Sequence, residues 1–232
     1  MSPAYWTESE SNAATMPAPS VIDCVFRIEG RQIPADHAWA LSRELQKILP
    51  WLAAEPQAGI HLIHGAQSSH GWQRPEDDGI MELSGRTRLV IRIPTSRIDD
   101  ATKLTGSRLD LAGYPLLVHG FRSRPLTHLS TVLAHYVRLS NANETEDAFL
   151  DASAEALAAL SIRPKKMICG RLRYLTMPDS RVPTRSLLLA ELSRHDSITI
   201  QTQGIGADRL FGCGIFVPSK SISAVHQSDD EA

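Results

Sequence analysis

The chain has 232 residues, 42% of them hydrophobic and 22% charged, which excludes general disorder and leaves room for one large or two small domains. Its three cysteines, Cys24, Cys169 and Cys213, form no C-x-x-C pair, which argues against a disulfide framework and a thiolate zinc site. No apolar run reaches the roughly 18 residues of a membrane helix, and residues 1–20 lack the basic and apolar regions of a signal peptide. We therefore expect a cytoplasmic protein with no membrane partner.

The net charge of −2 is unevenly distributed along the chain. Five acidic residues lie in segments 1–20 and 228–232, so residues 21–227 carry 24 basic against 21 acidic side chains, a net charge of +3. Residues 161–220 contain ten Lys and Arg against four acidic residues. This stretch predicts a surface that faces phosphate groups, although ordinary solvated arginines would give the same count.

The first half of the chain alternates between strand and helix patterns. Apolar and polar side chains alternate in three predicted strands and a predicted hairpin, at 21–28, 59–64, 86–93 and 108–118. Leucines at helical spacing predict a first helix that Asp36 caps and Pro56 ends, and a short second helix begins after Pro94. The predicted order is β-α-β-β-α-β.

The second half repeats this order. Strands are predicted at 129–139, 166–175, 186–192 and 214–218, and a helix capped by Asn143 is predicted at 144–160. The segment 193–203 is open, because Ile198 and Ile200 favour a strand whereas Ser193 with Asp196 is typical of a helix capping box.

This repeated order predicts an α+β fold with two ferredoxin-like (βαββαβ) domains in tandem. The domain boundaries follow from the linker around Pro125 and from the composition of the tails: a tail at 1–20, an N-terminal domain at 21–124, a C-terminal domain at 125–220 and an acidic tail at 221–232. A single α+β domain is the alternative that short elements at this spacing also allow.

A glycine-rich segment near the C-terminus carries the most specific signal. Four glycines, Gly204, Gly206, Gly212 and Gly214, follow the spacing G-x-G-x5-G-x-G around Arg209. Such glycines allow positive φ and let backbone amides approach an anion, and an arginine adds a charged fork for phosphate. The spacing fits neither a Rossmann fingerprint nor a P-loop. A bulged connector before a strand is the structural alternative.

This loop, at the end of a tandem ferredoxin-like chain of this length, resembles the RAMP superfamily and, more narrowly, the Cas-six (Cas6) pre-crRNA endoribonucleases of CRISPR systems. Segments 34–41, 59–65 and 212–218 together resemble the myxobacterial-type branch. The resemblance implies cleavage of repeat RNA beside a hairpin, with attack of the ribose 2′-oxygen leaving a 2′,3′-cyclic phosphate and a 5′-hydroxyl. It implies no metal and no other cofactor, retention of the product, and association with other subunits of a CRISPR effector complex.

His37 is the leading catalytic candidate, because members of the family often place a catalytic histidine near the start of the first helix. A helix N-terminus disfavours imidazolium, which keeps the ring neutral and available as a base. His37 also shares a helical face with Leu41, so simple packing is the alternative. His61 is the second candidate, and because strand side chains alternate, only one of His61 and His64 is expected to face a site.

RNA contacts are expected from the basic second half and from the glycine-rich segment. The candidate RNA-binding residues are Lys165, Lys166, Arg171, Arg173, Gly204, Gly206, Arg209, Gly212 and Gly214. Basic side chains along one strand suit contact with the backbone of an RNA hairpin better than base reading. Two other functions stay open: a catalytically inactive RAMP subunit that binds guide RNA or protein, and an unrelated tandem ferredoxin-like RNA-binding module.

Overall fold

In the computed structural model the chain forms two large antiparallel sheets, each covered by helices on one face, and a small two-stranded sheet. The structure describes residues 20–64, 79–140 and 145–219. We call the part that contains the first sheet the N-terminal half and the part that contains the second sheet the C-terminal half. No helix in these ranges is long and apolar enough to cross a membrane.

The N-terminal half contains a five-stranded sheet and a small two-stranded one. Its strands are β1 (Val21–Glu29), β2 (Gln32–Pro34), β3 (Gly59–Ile60), β4 (Ile80–Glu82), β5 (Arg88–Pro94), β6 (Arg108–Leu111) and β7 (Tyr114–Pro125). Its helices are α1 (Ala38–Ile48) and α2 (Ile98–Ala101). The large sheet has the order β3-β5-β1-β7-β6, and β2 pairs with β4.

The C-terminal half contains a four-stranded sheet. Its elements are β8 (Val132–Val137), α3 (Glu146–Ala159), β9 (Lys166–Met177), β10 (Ser180–Ala190), α4 (Arg194–Gln203) and β11 (Val217–Pro218). The strand order β11-β8-β10-β9 is the ferredoxin-like order, and the first sheet repeats it with β6 added at one edge. The predicted tandem ferredoxin-like fold is confirmed.

Each half has its own hydrophobic core, and a third cluster joins the two. The leucine stripe of α1 is fully buried against the first sheet, and Phe149 and Leu157 of α3 pack on the second. A full burial of this kind stabilises by about 1.5–3 kcal/mol per side chain. The joining cluster contains Leu62 from the N-terminal half and Tyr136 and Leu175 from the C-terminal half.

Two predicted elements of the N-terminal half differ in the structure. Asp36 does not cap α1, whose N-cap residue is His37 without a side-chain cap. Instead the Asp36 carboxylate accepts a 2.8 Å hydrogen bond from the Thr176 amide, at the end of β9 in the other half. The strand predicted at 59–64 ends at Ile60, so residues 61–64 no longer alternate between two faces.

The segment 193–203, for which the sequence allowed either a strand or a helix, forms helix α4 in the structure. The Ser193 hydroxyl accepts a hydrogen bond from the Asp196 amide at 3.1 Å, which caps α4 as the capping box predicts. The helix α3 is capped by Thr145, and the predicted cap Asn143 lies outside the described residues. The last strand is shorter than predicted and begins at Val217.

A buried ion pair links the two halves. Arg92 on β5 has 0% of its surface exposed, although the alternation of its strand turns it away from the helix-covered core. Its guanidinium donates to Asp23 on β1, at 2.8 Å from Nε to Oδ1, and to the carbonyls of Gln201 and Phe216 in the other half, both at 2.8 Å. The first sheet is therefore bound to the end of α4 and to the segment before β11.

Arg92 is joined by a second guanidinium at the end of α4. Arg209 donates to the carbonyls of Gln203 at 2.8 Å and Thr202 at 3.2 Å. The last carbonyls of a helix have no partners within the helix, and the partial negative charge there attracts cations. Two arginines, one from each half, therefore donate hydrogen bonds to the last carbonyls of α4.

Replacement of Arg92 by Leu removes this link and leaves the Asp23 carboxylate buried with less compensation. Breaking a buried pair from one side costs about 3–5 kcal/mol, and we expect a loss of that size in the free energy of unfolding, measured with urea. Arg97→Leu is the matched control, because Arg97 pairs with Asp100 on the surface and such pairs contribute about 0–1 kcal/mol. Equal losses from the two variants would contradict a linking role for Arg92.

The same carboxylate makes stability depend on pH. Burial raises the pKa of Asp23, whereas His61 and Arg92 lower it, and the balance lies well below the usual carboxyl range. The stability that Asp23 contributes is therefore present above the unfolded pKa of about 3.9 and is lost as the pH falls below it.

Candidate active site

A central cleft opens between the two halves. It has a volume of about 1040 Å³ and is lined from the N-terminal half by His61, His64 and a turn with two arginines, and from the C-terminal half by His135 and Tyr136. The walls include Val90 on β5 and Val217 on β11, which lie on the helix-free faces of the two sheets. The cleft thus lies where the two sheets turn their uncovered faces toward each other.

Three histidines come together in the cleft walls. His61 and His64 both line it, because residues 61–64 have left the strand conformation. The expectation that only one of them faces a site is therefore wrong. The rings of His64 and His135 lie against each other, with centroids 4.8 Å apart and planes at 54°.

The histidine environments differ. Burial, together with the charges of Arg173 and His61, lowers the pKa of His135 to about 4, so this ring is neutral at pH 7. Burial also lowers the pKa of His61, although the Asp23 carboxylate opposes the shift. The His61 Nε2 lies 3.5 Å from Asp23 Oδ1. Within the described residues, these side chains form no group that could hold a metal ion.

His37 lies behind the cleft wall rather than on it. Its ring is 2% exposed. Nδ1 lies 2.9 Å from the Pro34 carbonyl, to which it donates, and Nε2 accepts a hydrogen bond from the Ile63 amide at 2.9 Å. These two bonds fix one neutral tautomer. His37 therefore joins the start of α1 to the segment that carries the cleft histidines.

A crevice too narrow to admit water lies between His37 and residues of the cleft lining. His37, His64 and Tyr136 line the crevice, and His64 and Tyr136 also line the cleft. The side chain of Tyr136 is 2% exposed and belongs to the cluster that joins the two halves. His64 and Tyr136 therefore stand between His37 and the cleft.

The cleft is basic. Arg86, Arg88 and Arg124 line it, and within the described residues no carboxylate does. Arg27 and Arg88 are direct partners across β1 and β5, and Arg122 on β7 lies opposite Val25 on the same helix-free face. All five arginines are exposed. Such a surface attracts an anionic chain such as a nucleic acid.

The glycine-rich segment forms a tight loop that fastens the two halves. A Cβ on Gly206, at φ +79°, would lie 2.1 Å from the Arg138 carbonyl oxygen, and one on Gly212, at φ +86°, would lie 2.5 Å from Leu62. Arg209 within the loop turns inward, and its Nε donates to the Ala58 carbonyl at 3.3 Å. The glycines therefore permit close contacts within the protein.

A family model described as Cas6 Crispr matches residues 22–221 of the chain. This chain belongs to the Cas6 family. The CRISPR-associated endonuclease Cas6 of Myxococcus xanthus (strain DK1622) is 27% identical over 197 residues, covering 85% of this chain and 81% of that protein. The resemblance to the Cas6 family that the sequence motifs indicated is thereby confirmed.

Solved structures share the fold. The CRISPR associated protein Cas6 superposes with a TM-score of 0.57 at 12% identity, over 86% of this chain and 99% of that one. The protein of a Cas6-related gene from Pyrococcus furiosus gives 0.59 at 13% identity, over 84% and 97%. A structure described as an RAMP protein binding different RNA substrates gives 0.57 at 13% identity, over 85% and 98%.

In this Cas6 fold the predicted basic residues of β9 are on the surface. Lys165, Lys166, Arg171 and Arg173 are exposed, and Lys165 Nζ lies 3.4 Å from Glu191 Oε2. The hairpin of β9 and β10 extends beyond β8, which pairs with β10 only at 185–189. Arg173 lies on this extension, close enough to His135 to affect its pKa.

The guanidinium of Arg209 already has partners within the protein, and the phosphate contact expected of it stays a prediction. Its guanidinium donates to four backbone carbonyls, those of Ala58, Thr202, Gln203 and Gly214. Burial, together with the charge of Arg92, lowers the pKa of Arg209 to about 10, so it keeps its charge at pH 7. Arg209 therefore stabilises the loop itself through its bonds to these carbonyls. The glycine spacing did not predict these contacts.

Sequence reasoning missed His135 and the cleft arginines. His135 lies in an apolar strand between Ala134 and Tyr136, and a lone histidine in such a strand was the available signal. The alternation of β5 did turn Arg88 away from the core. It could not show that this face borders a cleft, because the other wall comes from residues more than 40 positions away.

Replacement of Gly206 by Val tests the role of the loop. The new side chain meets the Arg138 carbonyl at a positive φ, and we expect the unfolding free energy to fall by about 2 kcal/mol or more, measured by thermal or urea unfolding. Gly120→Ala is the control, because nothing lies within 4 Å of a Cβ there. An unchanged melting temperature with weakened RNA binding would instead support direct contact with phosphate.

Proposed function

We propose that this chain is an endoribonuclease specific for CRISPR repeat RNA, which it cuts beside a hairpin without a metal ion. The 2′-oxygen of one ribose attacks the adjacent phosphorus, and the products carry a 2′,3′-cyclic phosphate and a 5′-hydroxyl. The observation that carries the proposal is a basic cleft with three histidines, in a Cas6 family member. Its support is that one relative is named an endonuclease and one similar fold is named as RNA-binding.

The cleft and the β9–β10 extension together offer a path for RNA. Arg88, Arg122 and Arg124 border the cleft on the helix-free face of the first sheet, and Arg171 and Arg173 lie on the exposed hairpin. Backbone phosphates supply most of the affinity of such contacts, so binding should weaken as salt rises. In this proposal the hairpin of the RNA lies along β9 and β10, and the strand to be cut enters the cleft.

We propose His37 as the general base, in agreement with the resemblance. Because Nδ1 donates to the Pro34 carbonyl, the lone pair of this neutral ring is on Nε2, the atom that would take the 2′-proton. The Ile63 amide now occupies that lone pair. RNA binding must exchange this bond for one to the 2′-hydroxyl, an exchange of about 1 kcal/mol in hydrogen bonding.

His61, the second candidate, supports the site from behind in this proposal. Its Nε2 lies beside Asp23, which in turn binds Arg92. The ring therefore belongs to the buried charge group that fixes the cleft wall. We assign it no proton transfer.

A catalytically inactive RNA-binding subunit is the second candidate function. One observation favours it: both ring nitrogens of His37 are hydrogen-bonded within the protein, and the ring is buried. Catalytic hydrogen bonds often form only in the substrate complex, so this arrangement is compatible with both functions. Cleavage itself separates them.

Retention of the product follows from the same arrangement. Cutting the strand in the cleft leaves the contacts of the RNA hairpin with Arg171 and Arg173 unchanged. We propose that the cleaved RNA stays bound through them and that other subunits of a CRISPR effector complex assemble on this product.

The test uses repeat RNA from the CRISPR array nearest the gene, labelled at its 5′ end and incubated with the full chain in EDTA. We expect one cut beside the hairpin, a cyclic phosphate on the upstream product, and no cut when the nucleotide before the scissile phosphate is 2′-deoxy. The 2′-deoxy RNA should still bind, which gel shift can measure. Binding without cleavage of the all-ribose repeat would establish the inactive subunit, and cleavage of the 2′-deoxy repeat would exclude 2′-oxygen attack.

Replacement of His37 tests the base. His37→Gln places an amide oxygen near the position of Nε2, where it can accept from the Ile63 amide but cannot act as a base. We expect single-turnover cleavage to fall about 10²- to 10⁴-fold with little change in melting temperature or affinity for the hairpin. His195→Ala, at an exposed position of α4, is the control. Cleavage by the Gln variant at the wild-type rate would contradict the assignment.

A further inference from the structure

His64 occupies the point where the cleft and the crevice to His37 meet. It lines both, together with Tyr136, and its side chain is half-buried while that of His37 is 2% exposed. A phosphate at this junction would therefore have His37 on the inner side and His64 on the outer side. In-line displacement has an entering and a leaving oxygen on opposite sides of phosphorus. The reaction therefore needs a base on one side of the phosphate and an acid on the other.

His135 holds one side of His64. The ring centroids are 4.8 Å apart, and β8 places His135 in the opposite cleft wall. Within the described residues, the charged and titratable groups that line the same cleft as this pair are His61, Arg86, Arg88 and Arg124, and Arg173 on β9 is close enough to His135 to affect its pKa. All of the charged ones are cations, which suits a site that must receive a phosphate.

We infer that His64, held against the His135 ring, is the general acid that protonates the departing 5′-oxygen. The inference rests on the proposed cleavage reaction and adds a residue to it. His135 is a positioning residue in this account, since it touches His64 and not the reacting atoms.

His64 is the acid and His135 the positioning residue because the environments of the two rings differ. His135 is buried and close to Arg173, and it is neutral at pH 7. Two imidazoles in contact do not readily both carry a proton, because like charges repel. A phosphate in the cleft stabilises the imidazolium form of the ring nearest to it. In this proposal the bound phosphate holds the proton on the His64 ring, and a neutral His135 does not compete for it.

The step is balanced without any further reactant. The 2′-oxygen forms a bond to phosphorus as its proton passes to His37 Nε2. The bond from phosphorus to the 5′-oxygen breaks, and that oxygen takes the proton from the His64 imidazolium. The net result is one cyclic phosphate, one 5′-hydroxyl, and a proton moved from His64 to His37, which solvent returns.

A sulfur leaving group tests the assignment. When the 5′-oxygen at the scissile position is replaced by sulfur, the leaving thiolate needs no acid, because its pKa is about 8.5. We expect His64→Ala to cut the all-oxygen repeat about 10²- to 10³-fold more slowly than wild type. The same variant should cut the 5′-sulfur repeat within about tenfold of the wild-type rate. His37→Gln should stay slow on both substrates, and His195→Ala should match wild type on both.

Other outcomes are equally decisive. Equal slowing of His64→Ala on both substrates, with melting temperature and RNA affinity unchanged, would overturn the acid role. Wild-type cleavage of the all-oxygen repeat by His64→Ala would do the same. If His64→Ala fails to fold, His64→Asn is tested with the same two substrates, because its side chain still forms hydrogen bonds but cannot act as an acid. Failure of the wild-type protein to cut either substrate would overturn the proposed function itself.

Discussion

Two guanidinium groups at the end of α4, a buried one from Arg92 and a half-buried one from Arg209, join the two halves of the molecule. Arg92 extends from the first sheet and Arg209 from the glycine-rich loop. Arg92 donates to the carbonyl of Gln201, and Arg209 donates to those of Thr202 and Gln203. Carbonyls, and Asp23 for Arg92, replace the water that each cation has lost. This contact fixes how the two ferredoxin-like halves face each other, and therefore the width of the cleft.

The arrangement of the cleft follows from that contact. The loop that carries Arg209 also presses Gly212 against Leu62, next to the segment with the cleft histidines. On the other side of that segment, His37 binds the Ile63 amide. The tip of β9 is fastened to the start of α1 by Asp36. Four separate stretches of chain are thus held in register around one basic opening.

The sequence could predict what depends on local pattern. The period-2 strands, the leucine stripe of α1 and the capping box at Ser193 were sufficient for a tandem ferredoxin-like fold. Long-range partners were beyond its reach. Asp36 has the features of a helix cap, yet its carboxylate binds Thr176, 140 residues away, and Arg209 has the features of a phosphate ligand, yet it turns to backbone carbonyls. The prediction that Asp36 caps a helix was wrong, and the inward contacts of Arg209 were not predicted, because only the folded chain shows which groups meet.

The central claim is that the strand to be cut lies in the cleft between the two halves. The most direct measurement is a photo-crosslink from a single 4-thiouridine beside the scissile phosphate of an uncleavable 2′-deoxy repeat, with the crosslinked peptide identified by mass spectrometry. The account predicts crosslinks to residues 61–64 and to residues of β8 around Tyr136. Crosslinks confined to the helix-covered faces, such as the exposed surface of α3 or α4, would contradict it.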